Sequence, residues 1–472
     1  MNPRRRFFRN MFGLGAGAAA LAQVASSQAA PPVPVLTPDI ADLPFTMDSG
    51  VKVFHLIAEP VKQVIIPGRT FDLWGFNGSA PGPTIQATEG DRVRIVFENH
   101  LPEPTGIHWH GLELKIEMDG VLGIGQKPVM PGEQFVYEFP LHQNGTFFYH
   151  PHMAMQEMVG MLGGFIIHPK TAYSPRVDKD YLIALQEYAV LPNSTVPNSM
   201  SMEYNWLTFN GKAGPATTPL IIRHGERVRI RIINLGMDHH PIHLHGFTFW
   251  ETGHEGARQP EAIWPRGNTV LVGVAQARDI EFVADRPGDW MFHCHLPHHM
   301  MNQMASNAGP MTRLGRGMQS GASMEEAMGM LKDGHATAEN KAPSLGRGLG
   351  VGSTADMART NGPLTQSESG MDHSHMHMHM EHGGMQAMNM PELPKNANQV
   401  PLFPQDAFME GPMMAMDQEV DKPENYGLPP GWSGYSGGMM TLVRVLPPDQ
   451  YQKIMELKAQ AQPPAQRHSH EN

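Results

Sequence analysis

Between residues 45 and 170 the chain alternates short apolar runs with Gly, Pro and Asn punctuation. Val51–Ala58, Val61–Ile66, Arg92–Phe97, Phe135–Phe139 and Gly164–His168 read as strands, separated by turn signals at Asn77-Gly78, Pro81-Gly82-Pro83 and Pro131-Gly132. The plan repeats over residues 171–305. There Tyr181–Tyr188, Leu220–Ile222, Arg227–Ile233, Thr269–Val274 and Asp279–Val283 are the apolar runs, and Pro287-Gly288-Asp289 is the last turn. Many short strands with Gly/Pro turns predict an all-β fold of two Greek-key β-sandwich domains. Near the C-terminus, residues 437–460 hold one more strand-like run ending at Leu446. A helical pattern (Tyr451, Ile454, Met455, Lys458) follows, entered through Pro447-Pro448.

Residues 1–30 stand outside this pattern. Pro3-Arg4-Arg5-Arg6-Phe7-Phe8-Arg9 resembles a twin-arginine motif, an Ala/Gly-rich apolar stretch follows, and Ser27-Gln28-Ala29 offers small residues for cleavage. Export of a folded protein to a bacterial periplasm is the expectation. No other stretch is long and apolar enough to span a bilayer. The net charge of −11, from 46 acidic against 35 basic residues, is evenly spread, and no basic stripe points to nucleic acid. A single cysteine excludes an intrachain disulfide.

That cysteine is the chemical centre of the chain. It lies in Trp290-Met-Phe-His293-Cys294-His295-Leu-Pro-His-His299, with Met304 five residues further on. One thiolate among imidazoles, with a nearby thioether, suits a trigonal His₂Cys copper site with a weak axial ligand. In an extended segment neighbouring side chains point to opposite faces, so Cys294 can serve one metal while His293 and His295 serve another. Three histidine motifs lie upstream: His108-Trp-His110-Gly, His150-Pro-His152 and His240-Pro-Ile-His243-Leu-His245-Gly.

Four such motifs in this order resemble the copper motifs of the multicopper oxidases, over roughly residues 45–305. Asn77-Gly-Ser-Ala-Pro-Gly-Pro-Thr-Ile85 and Glu89-Gly-Asp91 also resemble the opening of that family's cupredoxin domain. The resemblance implies two cupredoxin-like domains, 45–170 and 171–305, with the thiolate site in the second. It implies four coppers: one type 1 (His240, Cys294, His299, axial Met304), one type 2 (His108, His243), and a type 3 pair (His110, His150, His152, His245, His293, His295). It further implies O₂ as electron acceptor and a homotrimer whose trinuclear cluster lies between subunits. Asp119 matches a family carboxylate suited to relaying protons, with an ordinary Asp-Gly turn as the alternative.

Two departures are specific to this chain. The family's final strand, of the form Gly-Met-Met plus apolar residues, occurs only at Gly438-Met439-Met440, after an insertion over residues 306–436. By spacing the axial ligand is Met304; by context it is Met439. The position after His299, acidic in some relatives, is Met300. The insertion carries Met371-Asp-His-Ser-His-Met-His-Met-His-Met-Glu-His382 and much of the chain's complement of 36 methionines. Thioethers select Cu(I) and imidazoles accept either copper state. A periplasmic cuprous oxidase in copper tolerance is therefore the expected function. A laccase-like oxidase of phenols or Mn(II) and a copper-sequestering protein are the alternatives.

Overall fold

A computed structural model describes residues 32–153, 155–190, 194–199, 204–300 and 415–461. The expected export segment, Met304 and the His/Met-rich stretch lie outside the described residues. Among them no helix is long and apolar enough to cross a membrane.

In chain order the strands are β1 (Val35–Leu36), β2 (Phe45–Asp48), β3 (Val51–Ile66), β4 (Arg69–Phe76), β5 (Gly82–Thr88), β6 (Arg92–Asn99), β7 (Ile107–His110), β8 (Gln134–Pro140), β9 (Gly145–Pro151) and β10 (Gly163–His168). They continue with β11 (Lys179–Tyr188), β12 (Trp206–Phe209), β13 (Leu220–Arg223), β14 (Arg227–Asn234), β15 (His240–Leu244), β16 (Phe249–His254), β17 (Ala257–Arg258), β18 (Arg266–Gly267), β19 (Thr269–Val272), β20 (Gln276–Val283), β21 (Gly288–Cys294) and β22 (Met440–Leu446). One helix, α1 (Pro448–Ala461), follows. The chain is all-β in character, built as two cupredoxin-like sandwiches.

The first sandwich packs a sheet ordered β2-β3-β6-β8, with β4 on β3, against a sheet ordered β5-β10-β9-β7. Period-two alternation explains the packing: in β6, Val93, Ile95 and Phe97 are buried while Arg92, Arg94 and Glu98 turn outward. Val51–Ala58 and Val61–Ile66, separate runs in the sequence, form one strand. Its first half pairs parallel with β6 and its second half antiparallel with β4. Pro60, lacking an N–H, sits just past the last β6 partner, at Ala58.

The second sandwich joins β1-β11-β14-β20-β16-β17 to a sheet ordered β13-β22-β21-β15-β19. β22 lies between β13, to which it is parallel, and β21, to which it is antiparallel with His293 opposite Met440. The strand that returns from the far side of the insertion therefore supports the cysteine strand directly. Ile454 of α1 packs on Ile221 and Leu446 at the edge of that sheet.

β11 and β14 are buried on both faces because the first sandwich covers the outer one. Phe148, Leu162 and Ile166 meet Leu182, Ala184, Ile233 and Ala277 in one shared cluster. Beside it, Arg231 is bound by Asp180 at 2.8 Å and donates to Thr146 Oγ1 at 2.7 Å, so a polar network also crosses the junction.

Candidate metal centre

β15 and β21 run antiparallel with Ile242 opposite Cys294 and His243 opposite His293. That register fixes two sites on opposite faces. Cys294 points into the apolar core of the second sandwich and is fully buried. His240, at the start of β15, and His299, in the 3₁₀ turn Pro297–Met300, close around it. Cys294 Sγ lies 3.7 Å from His240 Nδ1 and 3.4 Å from His299 Nδ1, and those nitrogens are 3.2 Å apart.

Burial pushes the Cys294 thiol up to about 12 and, with the neighbouring imidazoles, holds His299 down at about 3. The pocket therefore offers a neutral His299 imidazole and a thiol that gives up its proton only to a bound cation. Two imidazoles and one thiolate in a closed, apolar pocket form a donor set that fits copper.

On the other face of β21, His243, His245, His293 and His295 form a quartet. The His243–His245 ring centroids are 4.8 Å apart, His243–His293 5.6 Å and His243–His295 5.3 Å. His245 Nε2 and His293 Nε2 approach to 3.0 Å. His293 Nδ1 bonds the Cys294 carbonyl at 2.8 Å, and His243 Nδ1 the Asn268 carbonyl at 2.7 Å. These bonds commit the Nδ1 hydrogens and leave Nε2 lone pairs for a metal. Burial and the adjacent rings hold His293 down at about 4.

The first sandwich holds a second quartet. β7 pairs with β9 so that His108 faces His150, and ring centroids from His108 to His110, His150 and His152 are 5.6, 5.3 and 5.7 Å. His110 stacks on Phe148 at 4.2 Å. Burial, followed by the charges of His150 and His108, lowers His110 to about 4.

His108 Nδ1 bonds the Asp119 carbonyl at 2.8 Å, while the Asp119 carboxylate is 3.4 Å away. Asp119 thus reaches the quartet mainly through its backbone. Gly120 makes that approach possible: at φ +85° a Cβ would fall 1.9 Å from the Ile107 carbonyl oxygen. Among the described residues no hydrogen bond or ring contact links the two quartets, and both open to solvent at His152 and His295.

Three carboxylates beside these histidines were not singled out from the sequence. Glu187 Oε2 is 3.0 Å from His240 Nε2, Glu157 Oε1 is 2.9 Å from His150 Nδ1, and Asp238 Oδ2 is 3.6 Å from His299 Nε2. Glu187 carried a signal, as an acidic residue close after the apolar run Tyr181–Leu185 of the same strand. Met439 lies fully buried in the same cluster as Cys294; its N–H donates to the His299 carbonyl at 2.8 Å and its carbonyl accepts from the Cys294 N–H at 3.0 Å.

Fold and site together define a copper protein of the cupredoxin class. Family models described as multicopper oxidase match residues 60–172 and 190–308. The chain belongs to the multicopper oxidase family, whose members are copper-dependent oxidoreductases. It is 38% identical over 125 residues to copper resistance protein A of Pseudomonas syringae pv. tomato, a match covering 26% of this chain and 20% of that one. Among solved structures, the multicopper oxidase mgLAC and the blue copper oxidase from Nitrosomonas europaea each share 31% identity at a TM-score of 0.50. Each match covers 53% of this chain and 81% of theirs. The match thus spans about a fifth of the copper resistance relative.

Proposed function

We propose that this chain is an oxidase that couples one-electron oxidation of Cu(I) in the bacterial periplasm to four-electron reduction of O₂ to water. The observation that carries the reading is β21 itself, which sets Cys294 against His240 and His299 on one face and His293 and His295 in a quartet on the other. In this reading His240, Cys294 and His299 hold the type 1 copper, with Met304 as axial ligand and Met439 as the alternative. His108 and His243 hold the type 2 copper. His110, His150, His152, His245, His293 and His295 hold the type 3 pair. Copper there supplies one-electron chemistry at the thiolate and a binding place for O₂ among the imidazoles.

The chain's own contribution is preorganisation. Glu187, Glu157 and the carbonyls of Asp119, Asn268 and Cys294 each bind a ring nitrogen turned away from the metal position, which fixes the tautomer. Burial lowers the proton affinity of the His108 and His293 rings. Each quartet opens to solvent, at His152 and at His295, a geometry that a cyclic homotrimer would use by joining the first quartet of one subunit to the second of its neighbour. Alternating His and Met over Met371–His382, together with the likeness to a copper resistance protein, supports Cu(I) as reductant.

The test is O₂ uptake by the copper-loaded full-length protein with Cu(I) and with a phenol, before and after removal of residues 371–390. Cu(I)-driven uptake that falls on deletion while phenol-driven uptake persists supports a cuprous oxidase with a copper-gathering segment. Phenol-driven uptake alone gives the laccase-like reading. A blue protein that consumes no O₂ with either reductant sinks the oxidase reading and leaves sequestration.

A further inference from the structure

We propose that Glu187 is the internal counter-charge of the Cys294 site, holding His240 in its metal-presenting tautomer and biasing the bound copper toward Cu(II). The inference rests on the copper assignment above.

Glu187 sits inside β11 and is 1% exposed. Its Oε1 accepts the N–H of Met237 and, at 2.9 Å, that of Asp238; its Oε2 lies 3.0 Å from His240 Nε2. All of these partners are nitrogens able to donate, an arrangement suited to a carboxylate, which only accepts. Space for it is built in: a Cβ on Gly236 would lie 2.1 Å from Glu187 Oε2.

Charge compensation is the telling feature. Glu281, equally buried, is ringed by Arg227, Arg229 and Arg258. Glu187 has no such partner; among the described residues its only ion-pair contact is the His240 ring. A buried carboxylate needs a nearby cation. The opposite nitrogen of that ring, Nδ1, faces Cys294 Sγ at 3.7 Å and His299 Nδ1 at 3.2 Å. A metal held by those atoms completes the pair through one imidazole. Cu(II) carries one more positive charge than Cu(I), so a carboxylate fixed in a dry site favours the oxidised ion. Asp238 stands differently: it is 3.6 Å from His299 Nε2 and 41% exposed, where water screens it.

The experiment is a redox titration of the blue absorption band in the copper-loaded full-length wild type, E187D and E187Q, with copper content and circular dichroism as controls. E187Q removes the charge and keeps the shape. We expect its Cu(II)-over-Cu(I) preference to fall at least tenfold, a rise in potential of about 59 mV for a one-electron couple. E187D, with the charge withdrawn by one methylene, should rise less. A rising order of wild type, E187D, E187Q supports the proposal. E187D at or below wild type overturns it, as does E187Q no higher than E187D. Loss of the blue band in folded E187Q also overturns it, because Glu187 would then be a structural pin. If E187Q does not fold, the sign of the E187D shift decides. A wild type that never turns blue with copper would instead sink the copper assignment itself.

Discussion

Acidifying the metal-free protein should cost stability at a slope set by its buried histidines, most of them in the site. Burial holds His110, His168 and His293 at about 4 and His299 at about 3, against about 6.5 in an unfolded chain. Near pH 5 the unfolded chain therefore carries nearly one proton more at each position. Stability then changes by about 1.4 kcal/mol per pH unit for each group. The four together give about 5.4 kcal/mol per pH unit, and halving this for mutual coupling and solvent at the quartets leaves about 2.7. The sign follows from the direction of the shifts: the folded state is least penalised above pH 6.5 and loses stability as pH falls toward 4. Most carboxylates titrate below this window, so the slope between pH 6.5 and 4.5 belongs mainly to depressed histidines. The assay is guanidinium unfolding of copper-free protein by tryptophan fluorescence at half-unit pH steps. His299→Asn removes one of the four groups and should lower the slope by about 0.7 kcal/mol per pH unit. A wild-type stability that is flat from pH 6.5 to 4.5, or an H299N profile parallel to wild type, would refute the reasoning.

Two further outcomes follow from local geometry. Because the Cys294 thiol is raised to about 12, it is protonated at pH 8, and filling its site should release a proton that C294S cannot supply. Indicator-dye titration with copper should show one proton fewer per chain in the variant; equal release would count against thiolate ligation. Gly120→Ala forces a Cβ against the Ile107 carbonyl at positive φ, so it should destabilise the chain by more than about 1 kcal/mol and lower copper content at the His108 quartet, while the blue band remains. Unchanged copper content and melting temperature would show that the turn can relax.

The strands and both quartets were legible because they obey one rule, alternation along an extended chain. His108/His110, His150/His152, His243/His245 and His293/His295 are each two residues apart, so each pair must share a face. The carboxylates behind them obey no such rule. Glu157 follows His152 by five residues and opens a 3₁₀ turn, and Glu187 reaches His240 from a strand in the other sheet. Their roles depend on how sheets stack, which spacing does not encode. The junction between sandwiches was hidden for a related reason. β14 reads as a half-polar strand, yet Arg229 and Arg231 are buried because Asp180, Glu281 and Thr146 meet them there.

The same alternation that made the site readable also separates its two halves. Cys294 sits in a sealed apolar core, where a buried carboxylate and a buried thiol can set the preference for one copper state with little screening. One residue to either side, His293 and His295 belong to a quartet that reaches solvent at His295. A single peptide step thus joins a dry, sealed site to one that opens to solvent. Substitutions around Glu187 act on the first without touching the geometry of the second, because β15 and β21 hold both in register whatever occupies either face.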